Sequence, residues 1–418
     1  MTARMNDRVG AAWIGASLIL AAFLLQPGRA MAQTTDPVQV VSGCVANVAD
    51  RQLACGPGAS TAGSNDRSTA IGSNAQSDGS SVAIGSSSIA TGNNSTAIGD
   101  NANAVGFGDS TVIGSGAGSG GARSTVIGSG AATGNEGAIA VGHRAGVGLG
   151  SGQYSIAMGA GGDTAQSASH AIGNFSIAIG GGDGLSANGA ISNAAFGTAV
   201  GASSIAANQF DAAFGAFSIA SGARSAAFGA NSVAAGASSV ALGDGSFAQG
   251  THAVSTGFNS AATGVNSVAL GAEASATASN SVAIGSRSVT SAPNTASFGT
   301  PGNERRLTNV AAGISQTDAV NVGQLAAVTS GLQSQITNNR SEARRGIAAA
   351  VATASAPMPS APGKTTWQIR GSTFQNEYGI GVGFAHQLRT AMPLNIVGGY
   401  GNGGGAEHTA YVGVGGEF

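Results

Sequence analysis

From Gly72 to Gly299 the chain returns a glycine at multiples of seven residues, and Ser81-Val82-Ala83-Ile84-Gly85 and Ser239-Val240-Ala241-Leu242-Gly243 show what that glycine closes. A period held for so long decides the architecture before any single residue is weighed. The true repeat is fourteen, because the residue ahead of each glycine alternates between bulky apolar and small or polar. One set reads Phe214, Phe228, Leu242, Thr256, Leu270, Ile284 and Phe298; the other reads Ser221, Ala235, Gln249, Thr263, Thr277 and Ser291. Upstream the apolar column runs through Ile71, Ile84, Ile98, Ile113, Ile127, Val141, Met158, Ile172 and Val200, with slips at Ser73 to Asn74, Phe107, and His143 to Gln153.

A seven-residue spacing also suits a coiled coil, but that needs apolar a and d positions on good helix formers, and each glycine costs a helix about 1 kcal/mol. The spacing inside each unit reads as strand: Val82 and Ile84 share one face, while Ser81, Ala83 and Gly85 share the other. Glycine supplies positive φ at the turn, and neighbours such as Asn93, Asn94 and Asp244 suit the same turn. Stacked turns of this kind make a β-solenoid, and about 16 of them spaced about 4.8 Å apart make a rod of roughly 75–80 Å. The apolar column is then expected to fill a thin core. The opposite face of Ser, Ala and Gly buries little from water, and is expected to pack against neighbouring copies of the rod.

Of 418 residues 70 are glycine, with only 9% charged and 5% aromatic, which is not an enzyme-like composition. The net charge of -2 gives no basic footprint for nucleic acid. At the N-terminus Arg4 and Arg8 precede an apolar run from Val9 to Leu25, followed by the small-x-small pattern Ala30-Met31-Ala32. This reads as a secretory signal over 1–32; the run is short for a retained membrane helix. Export permits a disulfide, and Cys44 and Cys55 are the only cysteines. Their spacing is too long for Cys-x-x-Cys, and leaves open a loop within one chain or a bridge between neighbours.

After Gly299 the pattern changes. Pro301 ends the repeats, Arg305 and Arg306 add charge, and Asp318-Ala319-Val320-Asn321-Val322-Gly323-Gln324-Leu325 leads into a helix with Asp318 as its expected N-cap. Val322, Leu325, Thr329, Leu332, Ile336 and Asn339 fall alternately three and four apart, an a/d seam. Asn339 is either a polar residue that sets register or the plain end of the coil. Pro357, Pro359 and Pro362 stop the helix. The last segment holds four runs, Thr366 to Phe374, Glu377 to Leu388, Pro393 to Gly401 and His408 to Phe418. Each has the length of a tilted membrane strand, about 9–11 residues. Tyr378, Ile380, Val382 and Phe384 alternate with glycine or alanine, leaving one lipid-compatible face and one small face. Trp367, Tyr378, Tyr400 and Phe418 sit near strand ends, where aromatic girdles occur. Four strands cannot close a barrel, and an open edge cannot face lipid, so several chains must share one.

Other chemistry finds no support. Gly180-Gly181-Gly182-Asp183-Gly184 lacks the tandem copies of a calcium repeat, and there is no phosphate loop or Gly-x-Ser-x-Gly elbow. His143, His170, His252, His386 and His408 show no metal-ligand spacing. No cofactor and no catalytic residue is expected.

These residues together resemble the trimeric autotransporter adhesins of Gram-negative bacteria, the YadA-like family, over nearly the whole chain after residue 32. The resemblance rests on head repeats of the Asn280-Ser281-Val282-Ala283-Ile284-Gly285 kind and on the neck Asp318 to Leu325. It rests also on an anchor running from Arg345-Gly346-Ile347-Ala348-Ala349-Ala350 to Gly413-Val414-Gly415-Gly416-Glu417-Phe418. It implies a homotrimer with a left-handed parallel β-roll head, a neck, a three-stranded coiled coil and one twelve-stranded transmembrane β-barrel shared by three chains, with the helices threading its pore. It further implies that Asn280 to Gly285 belong to a motif associated with collagen binding, and that Asn339 matches asparagines that bind anions in related stalks. Phe418 resembles the aromatic end read by the outer-membrane barrel assembly machinery.

The expected organisation is a signal over 1–32, an N-terminal segment over 33–66, the head over 67–300 and the neck over 301–325. The stalk and pore helix follow over 326–356, a proline-rich linker over 357–364 and the membrane anchor over 365–418. The class is an all-β head and anchor joined by a short α coiled coil. The expected function is a surface adhesin, exported by itself into the outer membrane, which attaches to host extracellular matrix, cells or surfaces and clumps cells. An alternative is an export pore whose main task is passenger translocation. A soluble fibre such as a tail spike would need neither signal nor barrel.

Overall fold

The computed structural model describes residues 38–41, 43–47, 50–62, 67–106, 108–147, 152–162, 164–353 and 355–417; the segment read as a signal and the terminal Phe418 lie outside the described residues. The chain divides into two units, 1–305 and 306–418.

The first unit is a solenoid of two parallel sheets. A typical rung contributes a three-residue strand to the first sheet and a two-residue strand to the second, as Val240–Leu242 and Phe247–Ala248 do. Rungs pair in register, Phe214 with Phe228 and Phe228 with Leu242. At the N-terminal end the first sheet begins with an antiparallel meander of Val38–Val41, Cys44–Asn47 and Gln52–Cys55, whose last strand pairs parallel with Thr69–Ile71. Cys44 and Cys55 face each other across that meander and are disulfide-bonded within the chain.

The two faces of each strand are used in the opposite sense to the expectation. In the rung that begins at Ser225, the inward side chains are Ser225, Ala227, Ser232 and Ala234, all buried. The large apolar column points outward: Leu242 is 48% exposed and Leu270 47%. The reason is width. Two strands joined by tight turns leave room between them for little more than methyl and hydroxyl groups, Val112, Val126 and Asp211 being the largest side chains fully buried. Apart from those of Ser68, Thr133, Ser176 and Ser192, the buried hydroxyls of the rungs find partners nearby, as where Ser232 Oγ donates to the Gly229 carbonyl at 2.8 Å and Ser246 Oγ to that of Gly243 at 2.8 Å. Glycine at the turn is fixed by contact as well as conformation. Gly229 has φ 128°, and a Cβ there would lie 2.5 Å from the Gly243 carbonyl oxygen of the next rung.

Ile172 is a second correction. It follows the second-sheet strand His170–Ala171, and Ile179 takes its place in the column between Met158 and Val200. Ser155 and Ser176, equivalent residues of successive rungs, are 21 apart, where Ser81 and Ser95 are 14 apart. Two rungs of 21 have the length of three rungs of 14, so the periodicity survived in the sequence while the register changed.

In the second unit, helix α1 (Val322–Ala352) precedes an antiparallel four-stranded sheet, Thr365–Phe374, Glu377–Gln387, Leu394–Asn402 and His408–Gly416. These strands coincide with the four runs read from sequence to within two residues at each end. No helix among the described residues is long and apolar enough to cross a membrane, which says nothing of a β-barrel.

Candidate functional site

Three sets of side chains are left without partners on one chain. The first is the outward column of the head. The second sheet adds its own outward line, Ile191, Ile205, Ile219, Val233 and Phe247, each half-buried. One chain thus carries two unlike apolar surfaces on its two sheets. A ring of like subunits closes through two unlike surfaces, because each copy's first patch meets the next copy's second.

The second set is on α1. Its N-cap is Asn321, not Asp318: Asn321 Oδ1 accepts from Gln324 N–H at 3.0 Å, and Gln324 Oε1 accepts from Asn321 N–H at 3.3 Å, a capping box. Asp318 fails as N-cap because its carboxylate is already committed to the loop before it, accepting from the N–H groups of Ile314 and Ser315 at 2.9 Å. The Ser315 and then the Ile314 hydrogen bond hold the Asp318 carboxyl below its ordinary range. The Gln324 side-chain amide pairs with both N–H and C=O of Gly313 at 2.9 Å, and Asn321 Nδ2 donates to the Val310 carbonyl at 3.1 Å. The polar residues of the neck therefore fasten the chain to itself, whereas Ala319, Val320 and Leu325 are exposed, with Ile314 97% exposed. The seam residues Val322, Thr329, Leu332, Ile336 and Asn339 are likewise exposed.

The third set is the anchor. Gly379, Gly381, Gly401 and Gly403 turn to α1, and a Cβ at Gly379 would lie 2.5 Å from the Ala348 carbonyl oxygen. Ala348, Ala349 and Ala352 are buried there. At the rim Arg345 bridges Glu407 at 3.1 Å, and Ser341 Oγ donates to Glu377 at 2.7 Å. The opposite face is apolar and exposed, with Trp367, Tyr378, Ile380 and Val412 pointing out. Both outer strands, Thr365–Phe374 and His408–Gly416, have one unpaired edge.

Of the proposed ligand motif, Asn280 lies exposed at a turn, Val282 and Ile284 face outward half-buried, and Gly285 is half-buried at the following turn. Ser281 and Ala283 are fully buried inside the rung, so they cannot touch a ligand. Asn280 belongs to an amide ladder: Asn266 Nδ2 donates to Asn280 Oδ1 at 3.0 Å, and Asn280 Nδ2 donates to Asn294 Oδ1 at 3.2 Å. All three have positive φ, which asparagine tolerates.

Sequence reading passed over two further features. Tyr154, Phe175, Phe196 and Phe210 occupy that same turn position at positive φ in four successive rungs, stacked with centroids 5.5, 5.3 and 5.1 Å apart. The signal was available: each stands just before the rung's first inward residue, the slot Asn266 and Asn280 hold elsewhere. At the end of the solenoid, Arg305 donates to the carbonyls of Ser286 and Phe298 at 2.6 and 3.0 Å and to Ser288 Oγ at 3.0 Å, capping the last rung. Among the described residues no cluster of His, Cys, Asp or Glu is fit to hold a metal.

A stacked-rung head, a fastened helix with an unpaired apolar seam, and a sheet whose glycines face that helix define a trimeric autotransporter adhesin. The profile of the coiled stalk of trimeric autotransporter adhesins matches residues 306–348. That of the YadA head domain repeat matches 64–80, 79–102, 234–260 and 262–288. The autotransporter adhesin NhhA of Neisseria meningitidis serogroup B is 41% identical over 80 residues, 19% of this chain. The match spans only 14% of that relative's length. The crystal structure of the collagen-binding domain of the Yersinia adhesin YadA is similar at 36% identity, over 37% of this chain and 97% of that one, with a TM-score of 0.31. The chain belongs to the YadA-like family.

Proposed function

We propose that this chain is a surface adhesin which forms a homotrimer, inserts a shared barrel into the outer membrane and displays its head outside for attachment and for clumping of cells. One observation carries the reading: head, helix and anchor each leave apolar or hydrogen-bonding surface that further copies of the chain, or lipid on the anchor's outer face, would cover. Three chains would close the head ring, zip the seam into a coil and supply twelve strands. The glycine face against α1 supports a filled barrel and gives the export-pore alternative no open lumen. Export through 1–32, and recognition of Phe418 by the barrel assembly machinery, belong to the same proposal, as does an anion at Asn339 of three paired helices.

Many equivalent weak contacts on three chains act together by avidity. Host matrix is the proposed ligand class, with collagen first because Asn280, Val282, Ile284 and Gly285 keep the outward part of the family's collagen-associated motif. The test is expression of the full chain in a Gram-negative host. SDS-resistant trimers in outer-membrane fractions, with cells that adhere to coated collagen, laminin or fibronectin, support it. Monomers, or trimers only in the soluble fraction, overturn it.

A further inference from the structure

The aromatic edge of the head has no use in the trimer argument above. Its four rings hold positions where the backbone is left-handed, at φ 53° to 63°. Such a conformation is strained for a bulky residue, and persists where function or context requires it. All four are exposed, Phe175 by 50%. The rings lie nearly parallel, with interplanar angles of 5° to 15°, so the faces between neighbours are covered and the stripe presents mainly ring edges. Tyr154's outer face covers Gly137. A ligand that needs an open ring face, such as a sugar, therefore finds none between the rings.

We infer that this edge docks against the same edge of a second copy of the chain running antiparallel. This deepens the clumping part of the proposed function and rests on it, since heads displayed by two facing cells meet tip to base. A two-fold contact must be self-complementary. The rung order on this edge follows from the backbone ladder, in which each residue's N–H donates to the rung before: Asp109, Arg123, Gly137, Tyr154, Phe175, Phe196, Phe210, Arg224, Ser238, His252. A two-fold axis between Phe175 and Phe196 sets aromatic against aromatic, Arg224 against Gly137, and Asp109 against His252. Glu136, next to Gly137, half-buried and paired with Arg123, supplies the charge opposite to Arg224. No like charges face each other, and the four rings form the apolar centre inside a charged rim.

The test uses cells displaying the full chain, labelled in two colours, with clumping scored by flow cytometry. Phe175→Asn with Phe196→Asn suits the left-handed backbone, so SDS-resistant trimers persist while clumping falls about tenfold or more. Arg224→Glu and Glu136→Lys each abolish clumping among their own kind. Mixing the two strains restores it, because both symmetric contacts then join opposite charges. Parental clumping by the double Asn variant, loss of its trimers, displayed parental trimers that never clump, or a mixture that stays dispersed would each overturn the proposal. Failure of the parent to form displayed trimers would instead sink the adhesin reading itself.

Discussion

Head and anchor both turn small side chains inward and large ones outward, but the head uses alanine and serine where the anchor uses glycine. In the head, strand faces strand across methyl and hydroxyl groups such as Ala227 and Ser232. In the anchor, strand faces the carbonyls of a helix, and a Cβ at Gly381 would collide with the Ala352 carbonyl oxygen. The inward residue thus records how close two backbones come. In neither region does the inside bury much apolar area. The larger burial is left to the outer faces, which the proposed function gives to other chains or to lipid.

The comparison breaks if the anchor glycines are mere flexibility. Gly381→Val should be the most damaging change, because the obstructed atom is backbone and cannot move aside. Overpacking of this kind costs about 3 kcal/mol, the upper end of its range, and the expected outcome is loss of SDS-resistant trimers from the membrane fraction. Gly371→Ala and Gly415→Ala, whose Cβ atoms would meet nothing nearer than 4.0 Å, should leave them intact. Equal damage from all three would show that the sheet, not the helix contact, requires glycine.

The two faces of one head strand give the next test. Ala241 is fully buried and Leu242 is its outward neighbour. Ala241→Leu should lower the head's melting temperature through a cost of about 1–3 kcal/mol. Leu242→Ala, by contrast, should weaken the trimer and leave the rung folded, at about 1–2 kcal/mol per chain. Circular dichroism melts set beside SDS-resistance separate the two. A lower melting temperature for Leu242→Ala, with trimer loss confined to Ala241→Leu, would mean that the faces are assigned the wrong way round.

That assignment is where sequence reading failed, for a physical reason. Alternation of Val82 and Ile84 with Ser81 and Ala83 identifies a strand and its two faces, but not which face is inside. The usual rule that the apolar face forms the core presumes an interior wide enough for it. The four anchor strands were legible almost residue by residue, because their length and the glycine alternation that marks the helix side are both written in the sequence. The N-cap was missed by three residues because Asp318 and Asn321 are both good caps by type, and only the loop from Val310 to Ser315 decides between them. The aromatic edge was missed because phenylalanine is not a turn residue.

A smaller effect is expected at the end of the solenoid. Arg305→Ala removes the donors to Ser286, Ser288 and Phe298, a loss of about 1–3 kcal/mol. It should stay local, because rungs contact only their neighbours. Hydrogen exchange should quicken over 286–299 and remain unchanged at Ser225 to Ala234. Faster exchange throughout the head would show that the rod melts as one unit.

The smallest effect separates two acids of the head by pH. Burial raises Asp211 above the ordinary carboxyl range, even though it accepts from Ser225 and Asn208 N–H at 2.8 Å. Glu273 is lowered, first by its hydrogen bond to Arg287 and then by that residue's charge. A raised carboxyl costs the folded state nothing below its unfolded value and burdens it increasingly as pH climbs through the folded one. A lowered carboxyl contributes above its unfolded value and loses that contribution as pH falls through the folded one. Serine stands at the equivalent of Asp211 in the next rung, Ser225, so Asp211→Ser keeps the rung's pattern. Its advantage over the parent in melting temperature should therefore grow from pH 4 to pH 7. Glu273→Gln should do the reverse, its deficit largest at pH 7 and shrinking on acidification. Parallel melting curves for parent and Asp211→Ser across that range would mean that the buried carboxylate is as well solvated by Ser225 and Asn208 as by water.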